Sequence, residues 1–131
     1  MTHLSYEVFH KDVPTLVEFY VRVLGFRAPE ESKSSEVSET SAPLEYVVVR
    51  RGDVRVGCCR HDEADPTPRR PPGGSEIVLR VDDVRAEHAR VVSSGWPLAD
   101  ALRTRPWGLT DFRVFDPAGQ YLRITSATAE G

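Results

Sequence analysis

Apolar positions along this chain follow two spacings, and the spacings alternate in the same order twice. Residues 4–10, LSYEVFH, alternate and predict a strand, with Tyr6 and Val8 on one face and Ser5, Glu7 and Phe9 on the other. The spacing then becomes helical: Val13, Leu16, Val17, Tyr20, Val21 and Leu24 share a stripe. Asp12 is placed to cap that helix, Pro14 suits its first turn, and Gly25 suits its end, so a helix is predicted over 13–24. Residues 44–50 and 54–60 predict two strands joined by the turn Arg51-Gly52-Asp53, a tripeptide that also matches a cell-adhesion motif.

The second half repeats the scheme. Ile77, Leu79 and Val81 form the apolar face of a strand, leaving Glu76, Val78 and Arg80 opposite. Asp82 or Asp83 caps a helix with Val84, His88, Val91 and Val92 on one face, and Gly95 ends it. Strands follow near 99–104, 110–115 and 120–126, the last two joined by a tight Asp116-Pro117-Ala118-Gly119 turn. In the final strand Leu122 and Ile124 face the helix and Tyr121, Arg123 and Thr125 oppose them. Asp12 and Gly25 recur as Asp82 and Gly95, at one offset of 70. The reading is an α+β fold of two βαβββ modules, about 1–61 and 75–131, in one domain spanning 1–131.

Two polar stretches interrupt the pattern. The segment from Pro29 to Pro43 is rich in Ser and Glu and reads as a loop, with a short strand at its start. Its carboxylates Glu30, Glu31, Glu36 and Glu39 would attract a cationic ligand at long range, although any solvated loop has this composition. Residues 62–74, with Pro66, Pro68, Pro71, Pro72 and Gly73-Gly74, read as the linker between modules.

Composition narrows the function. A chain of 131 residues with a net charge of −3 lacks the basic surface that nucleic acid requires. No apolar run reaches the roughly 20 residues that cross a bilayer, and the N-terminus does not read as a secretion signal, so the expected setting is the cytoplasm. Cys58 and Cys59 are adjacent and point to opposite faces of a strand, which disfavours a bridge between them and favours two packed thiols. His3, His10, His61 and His88 are scattered, with neither metal-pair nor nucleophile–base spacing, and no glycine-rich phosphate loop is present.

Two motifs carry a family resemblance. Phe19-Tyr20-x-x-x-Leu24-Gly25-Phe26 after an Asp-initiated helix resembles the first-module signature of the vicinal oxygen chelate superfamily, which includes glyoxalase I, extradiol dioxygenases and bleomycin-resistance proteins. Pro106-Trp107-Gly108, Asp111-Phe112 and Asp116-Pro117-x-Gly119 resemble the C-terminal motif of the bleomycin-resistance branch. The resemblance implies curled mixed sheets around a ligand cleft, helices on the convex side, and a homodimer. It also implies four metal-ligand positions, which align with Ser5, Gly57, Glu76 and Arg123. Of these only Glu76 is a good ligand, and an arginine repels a dication.

The expectation is therefore a metal-free protein without cofactor that binds a small molecule, antibiotic-like or planar, in a cleft at a dimer interface. Candidate binding residues are Phe9, Glu76, Trp107, Tyr121 and Arg123. Arg123 either pairs with Glu76 or holds an anionic group, and the aromatic residues offer stacking surface or pack at a dimer seam. The alternatives are a metal-dependent lyase, isomerase or dioxygenase, with Glu7 or Glu45 as further ligands, and an interaction domain whose cup is filled by its own side chains.

Overall fold

The computed structural model describes residues 2–29 and 45–128, which divide into two compact units at Pro66/Thr67. Each unit is one mixed sheet with a helix on one face, and the fold is α+β. No helix among the described residues is long and apolar enough to cross a membrane.

In the first unit, β1 (Tyr6–His10) leads into α1 (Val13–Glu18), and β2 (Tyr46–Arg51) and β3 (Val54–Arg60) follow. The sheet order is β1-β3-β2, with β1 parallel and β2 antiparallel to β3. Val8, Val47, Val49, Val56 and Cys58 are buried with Val13 and Leu16 of the helix. The turn between β2 and β3 places Gly52 at φ 57°, a conformation that favours glycine. Beyond β2 lies one bridge, Arg27 with Arg50, closed by two backbone hydrogen bonds of 2.7 and 3.0 Å. The described part of this module thus has two full strands after its helix, not three. The rest of the Pro29–Pro43 segment, with its expected strand and its glutamates, lies outside the described residues.

The first helix departs from its expected regularity. After Glu18 it widens into a π-helical turn, Phe19–Val23, in which the Leu24 amide donates to the Phe19 carbonyl five residues back. Gly25, at φ 76°, then reverses the chain, and the Phe26 amide donates to the Tyr20 carbonyl at 2.8 Å. The wider turn rotates the inward face. Phe19 and Val23 are buried in place of Val17 and Val21, which are half-exposed and line a shallow groove with Ala28 and Val47.

The second unit contains β4 (Glu76–Val81), α2 (Val84–Ser94), β5 (Asp100–Thr104), β6 (Thr110–Phe115) and β7 (Tyr121–Ser126), in sheet order β4-β7-β6-β5. Its first three positions repeat β1-β3-β2, and β5 stands where the Arg27 bridge stands in the first unit. Asp83, not Asp82, caps α2: its Oδ1 accepts from the Ala86 amide at 3.0 Å. Asp12 holds the matching position in α1, but its carboxylate accepts from the Thr15 hydroxyl, 2.8 Å away, and makes no cap bond to the backbone. Gly25 therefore follows its cap residue by 13 positions and Gly95 by 12, and the single offset of 70 does not hold. The extra residue is the one the π turn absorbs.

The buried stripe of α2 also differs from the sequence expectation. Val84, Glu87 and Val91 face inward, His88 sets its ring edge-on to Phe112 at 5.3 Å, and Val92 is exposed. Glu87 is tolerated because Arg90 pairs with it at 3.1 Å. The Asp116 turn shows why its motif takes the form it does. The buried carboxylate accepts from the amides of Ala118 and Gln120 at 2.8 and 3.0 Å, and Gly119 adopts φ 86°.

Candidate ligand-binding site

In the second unit, strand register determines which side chains share the face opposite α2. Tyr121, Arg123 and Thr125 of β7 pair with Phe115, Arg113 and Asp111 of β6 on one side. On the other they pair with Glu76, Val78 and Arg80 of β4. The alternating core residues Phe112, Val114, Leu122 and Ile124 are buried on the helix side. Three expected site residues, Glu76, Tyr121 and Arg123, therefore share one face. Arg123 Nε lies 3.5 Å from Glu76 Oε2, and both side chains are partly accessible.

Tyr121 is placed differently from the stacking surface expected of it. It is only 2% exposed, with its ring against Phe115 and under the Arg70 guanidinium, 5.3 Å from the ring centre. Its hydroxyl donates to Asp100 at 3.0 Å and accepts from Arg113 at 3.3 Å and Arg70 at 3.4 Å. Asp100 titrates accordingly. Burial pushes its carboxyl up, but the Tyr121 hydrogen bond and the charges of Arg70 and Arg113 outweigh this, and the pKa falls below the ordinary value. Arg70 comes from the stretch read as a linker, and it is tied to this sheet.

Trp107 stands at the opposite end of β6 from Tyr121. It tips the β5–β6 turn at 60% exposure, and Gly108 closes the turn at φ 99° with its amide donating to the Arg105 carbonyl. Phe9 belongs to the first unit, on β1, half-exposed with its ring edge-on to His61.

Sequence reasoning overlooked the most buried charge. Asp111 is fully buried and accepts from Arg105 Nε and Nη2 at 2.9 and 2.7 Å, with Arg113 Nη2 at 3.5 Å from its other oxygen. The alternation of Thr110–Phe115 carries the signal, since Asp111 and Arg113 alternate with the core residues Phe112 and Val114.

The equivalent face of the first unit is built around a glycine. Glu7 pairs with Gly57, and the Tyr46 hydroxyl donates to Glu7 Oε2 at 2.7 Å. A Cβ on Gly57 would come within 2.8 Å of both the Glu7 carboxylate and the Tyr46 hydroxyl. The Cys59 thiol donates to Glu7 Oε1 at 3.5 Å. Burial, then the Glu7 hydrogen bond and charge, push its pKa up to about 11, so at neutral pH it is a protonated thiol and a poor nucleophile. Cys58 and Cys59 are both buried, and neither forms a disulfide.

These residues do not fit a divalent metal at the positions the resemblance implies. Gly57 contributes no donor, Arg123 brings a cation to Glu76, Glu7 is engaged by Tyr46 and Cys59, and Glu45 lies 3.8 Å from Arg60. Among the described residues no three His, Cys, Asp or Glu side chains converge on a point.

A fold of this topology with these motifs defines a class, and a family model confirms it. The chain belongs to the Glyoxalase/Bleomycin resistance protein/Dioxygenase superfamily, whose model matches residues 2–124. Among solved structures, TioX from Micromonospora sp. ML1 is 22% identical with a TM-score of 0.74, covering 98% of this chain and 100% of that one. The bleomycin-binding protein of bleomycin-producing Streptomyces verticillus, complexed with copper(II)-bleomycin, is 23% identical with a TM-score of 0.64, covering 98% of each chain. The lactoylglutathione lyase of Agrobacterium tumefaciens is 16% identical with a TM-score of 0.67, covering 96% of this chain and 93% of that one. At these identities the likeness is one of fold. No curated protein matches the chain.

Proposed function

We propose that the protein binds a small organic molecule, planar or antibiotic-like, without a metal ion and without transforming it. Binding takes place in a cleft completed by a second copy of the chain. The observation that carries this reading is the Arg123–Glu76 contact of 3.5 Å, a guanidinium beside the one good ligand among the positions that the resemblance implies. Fold likeness to a protein complexed with copper(II)-bleomycin adds support, and the half-exposed Phe9 and Trp107 offer aromatic surface.

The test is elemental analysis of protein purified without chelator, followed by titration with Zn, Ni, Mn and Fe(II). Fluorescence titration with a panel of planar antibiotics that includes bleomycin, and light scattering for the dimer, complete it. The chain has two tryptophans, and Trp96 is tied to the Phe115 carbonyl by a 2.8 Å hydrogen bond, so Trp107→Phe separates the ligand-responsive signal from the structural one. The expected result is no stoichiometric metal, and quenching that Trp107→Phe abolishes. One tightly held metal per chain would overturn the proposal and favour the metal-dependent lyase or dioxygenase, in line with the fold likeness to the lactoylglutathione lyase.

A further inference from the structure

Arg113 and Arg123 are cross-strand partners at the centre of the second unit's face opposite α2. Like charges placed directly opposite on neighbouring strands oppose pairing, so this arrangement calls for compensation. The protein's own carboxylates supply only part of it. Asp111 is saturated on one oxygen by Arg105, and Asp100 is shared among Arg70, Tyr121 and Arg113, the last at 4.0 Å. Glu76 lies 3.5 Å from Nε of Arg123, a distance beyond an ordinary hydrogen bond, and its charge also acts on Arg113. Three carboxylates thus face four arginines.

Hydrogen bonding falls short as well. Nε of Arg113 and Nε of Arg123 are both buried, and neither has a hydrogen-bond partner among the described residues. Yet the two side chains remain 19% and 21% accessible, so part of each guanidinium meets solvent, although Arg113 Nη1 already donates to the Tyr121 hydroxyl at 3.3 Å. Val78, the other cross-strand neighbour of Arg123, provides an apolar flank.

We propose that Arg113 and Arg123 form an anion-recognition pair, and that the ligand is a small organic molecule carrying a carboxylate, phosphate or sulfonate beside an apolar body. Carboxylate and phosphate oxygens match the guanidinium fork, and one oxyanion held by the accessible nitrogens of both arginines supplies the missing charge. Glu76 then acts as a placeholder that occupies Arg123 until the ligand arrives. The inference rests on the metal-free binding reading and gives that ligand its charge.

Metal-stripped protein titrated calorimetrically with benzoate, phenylphosphonate and inorganic phosphate, at constant ionic strength in chloride, tests the pair. Saturable binding is expected, at least tenfold weaker in Arg123→Gln and Arg113→Gln and at least threefold tighter in Glu76→Gln. Glu76→Gln keeps both arginines and reads the site even where an arginine variant fails to fold. Absence of saturable anion binding, unchanged affinity in folded Arg123→Gln, or weaker binding in Glu76→Gln overturns the proposal. Inorganic phosphate binding more tightly than either organic anion assigns the pair to the free ion and overturns the organic ligand. Metal uptake by the purified protein counts against the underlying reading, whereas antibiotic quenching without anion binding counts only against the arginine pair.

Discussion

Asp111→Ala would leave two guanidinium groups without their main counter-charge. Both oxygens of this fully buried carboxylate face arginine, with Arg105 at 2.7 and 2.9 Å and Arg113 at 3.5 Å. Removing one partner of a fully enclosed ion pair costs about 3–5 kcal/mol, because the remaining charge stays desolvated. Here the arginines keep 14% and 19% of their side-chain surface, so water reaches them and the lower end applies, about 3 kcal/mol. At about 4 °C per kcal/mol for a chain of this length, the melting temperature should fall by ~12 °C. Both tryptophans, Trp96 and Trp107, lie in the second unit, so urea unfolding followed by tryptophan fluorescence reads the affected unit directly. Arg105→Ala should cost a similar amount, and the double variant less than the sum, with a coupling of about 2 kcal/mol. A loss below about 1 kcal/mol in Asp111→Ala, with additive behaviour in the cycle, would show that the pair behaves like an exposed one and refute the reasoning.

Other expectations follow from the caps, the thiol and the helix-ending glycine. Asp83→Ala should destabilise the second unit by about 1 kcal/mol in urea melts, whereas Asp12→Ala, whose side chain bonds only the Thr15 hydroxyl, should cost less than half of that. Cys59 has a raised pKa of about 11, so the unfolded thiol ionises first as pH rises above about 9, and the stability contributed by its protonated form is lost between there and pH 11. Native alkylation by iodoacetamide should stay slow below that window, and Glu7→Gln, which removes the charge but neither an acceptor oxygen nor the burial, should make it faster at pH 9. Gly95→Ala introduces no clash, since nothing lies within 4 Å of the new Cβ, and should lower stability by about 1 kcal/mol through φ 84° alone, as measured by urea melts.

Strand alternation was legible because each sheet has one face covered by its own helix, which makes apolar and polar positions alternate cleanly in β4 and β7. Helix faces were less legible. The 3.6-residue stripe assumed for residues 13–24 breaks at the π turn, and nothing in FYVRV distinguishes a five-residue ring from a four-residue one by composition. In α2, hydrophobicity ranked Val92 above Glu87, yet the inward position went to Glu87, with Arg90 as its partner. Glu76 and Arg123 could be brought together from the sequence because the family resemblance, aligned on the helix caps and the Asp116-Pro117-x-Gly119 turn, gives both of them places on one face. Tyr121 could not be placed correctly, because its burial depends on Arg70 and Asp100, which come from a loop and an edge strand far away in sequence. Asp111 and Arg113 on one face of β6 were within reach of alternation alone, whereas Arg105 comes from the turn before that strand.

The π turn in the first helix locates where this duplicated architecture keeps its slack. The two modules differ by one residue between cap and glycine, and that difference is taken up within the helix. A surplus residue in a strand would move every later side chain to the opposite face, whereas a surplus residue in a helix widens one ring of hydrogen bonds. Gly57 opposite Glu7 and Arg123 opposite Val78 therefore still occupy matching places in the two sheets. Length can drift in the helices of such a protein while the sheet faces keep their alignment, and substitutions on those faces can then change ligand chemistry one position at a time.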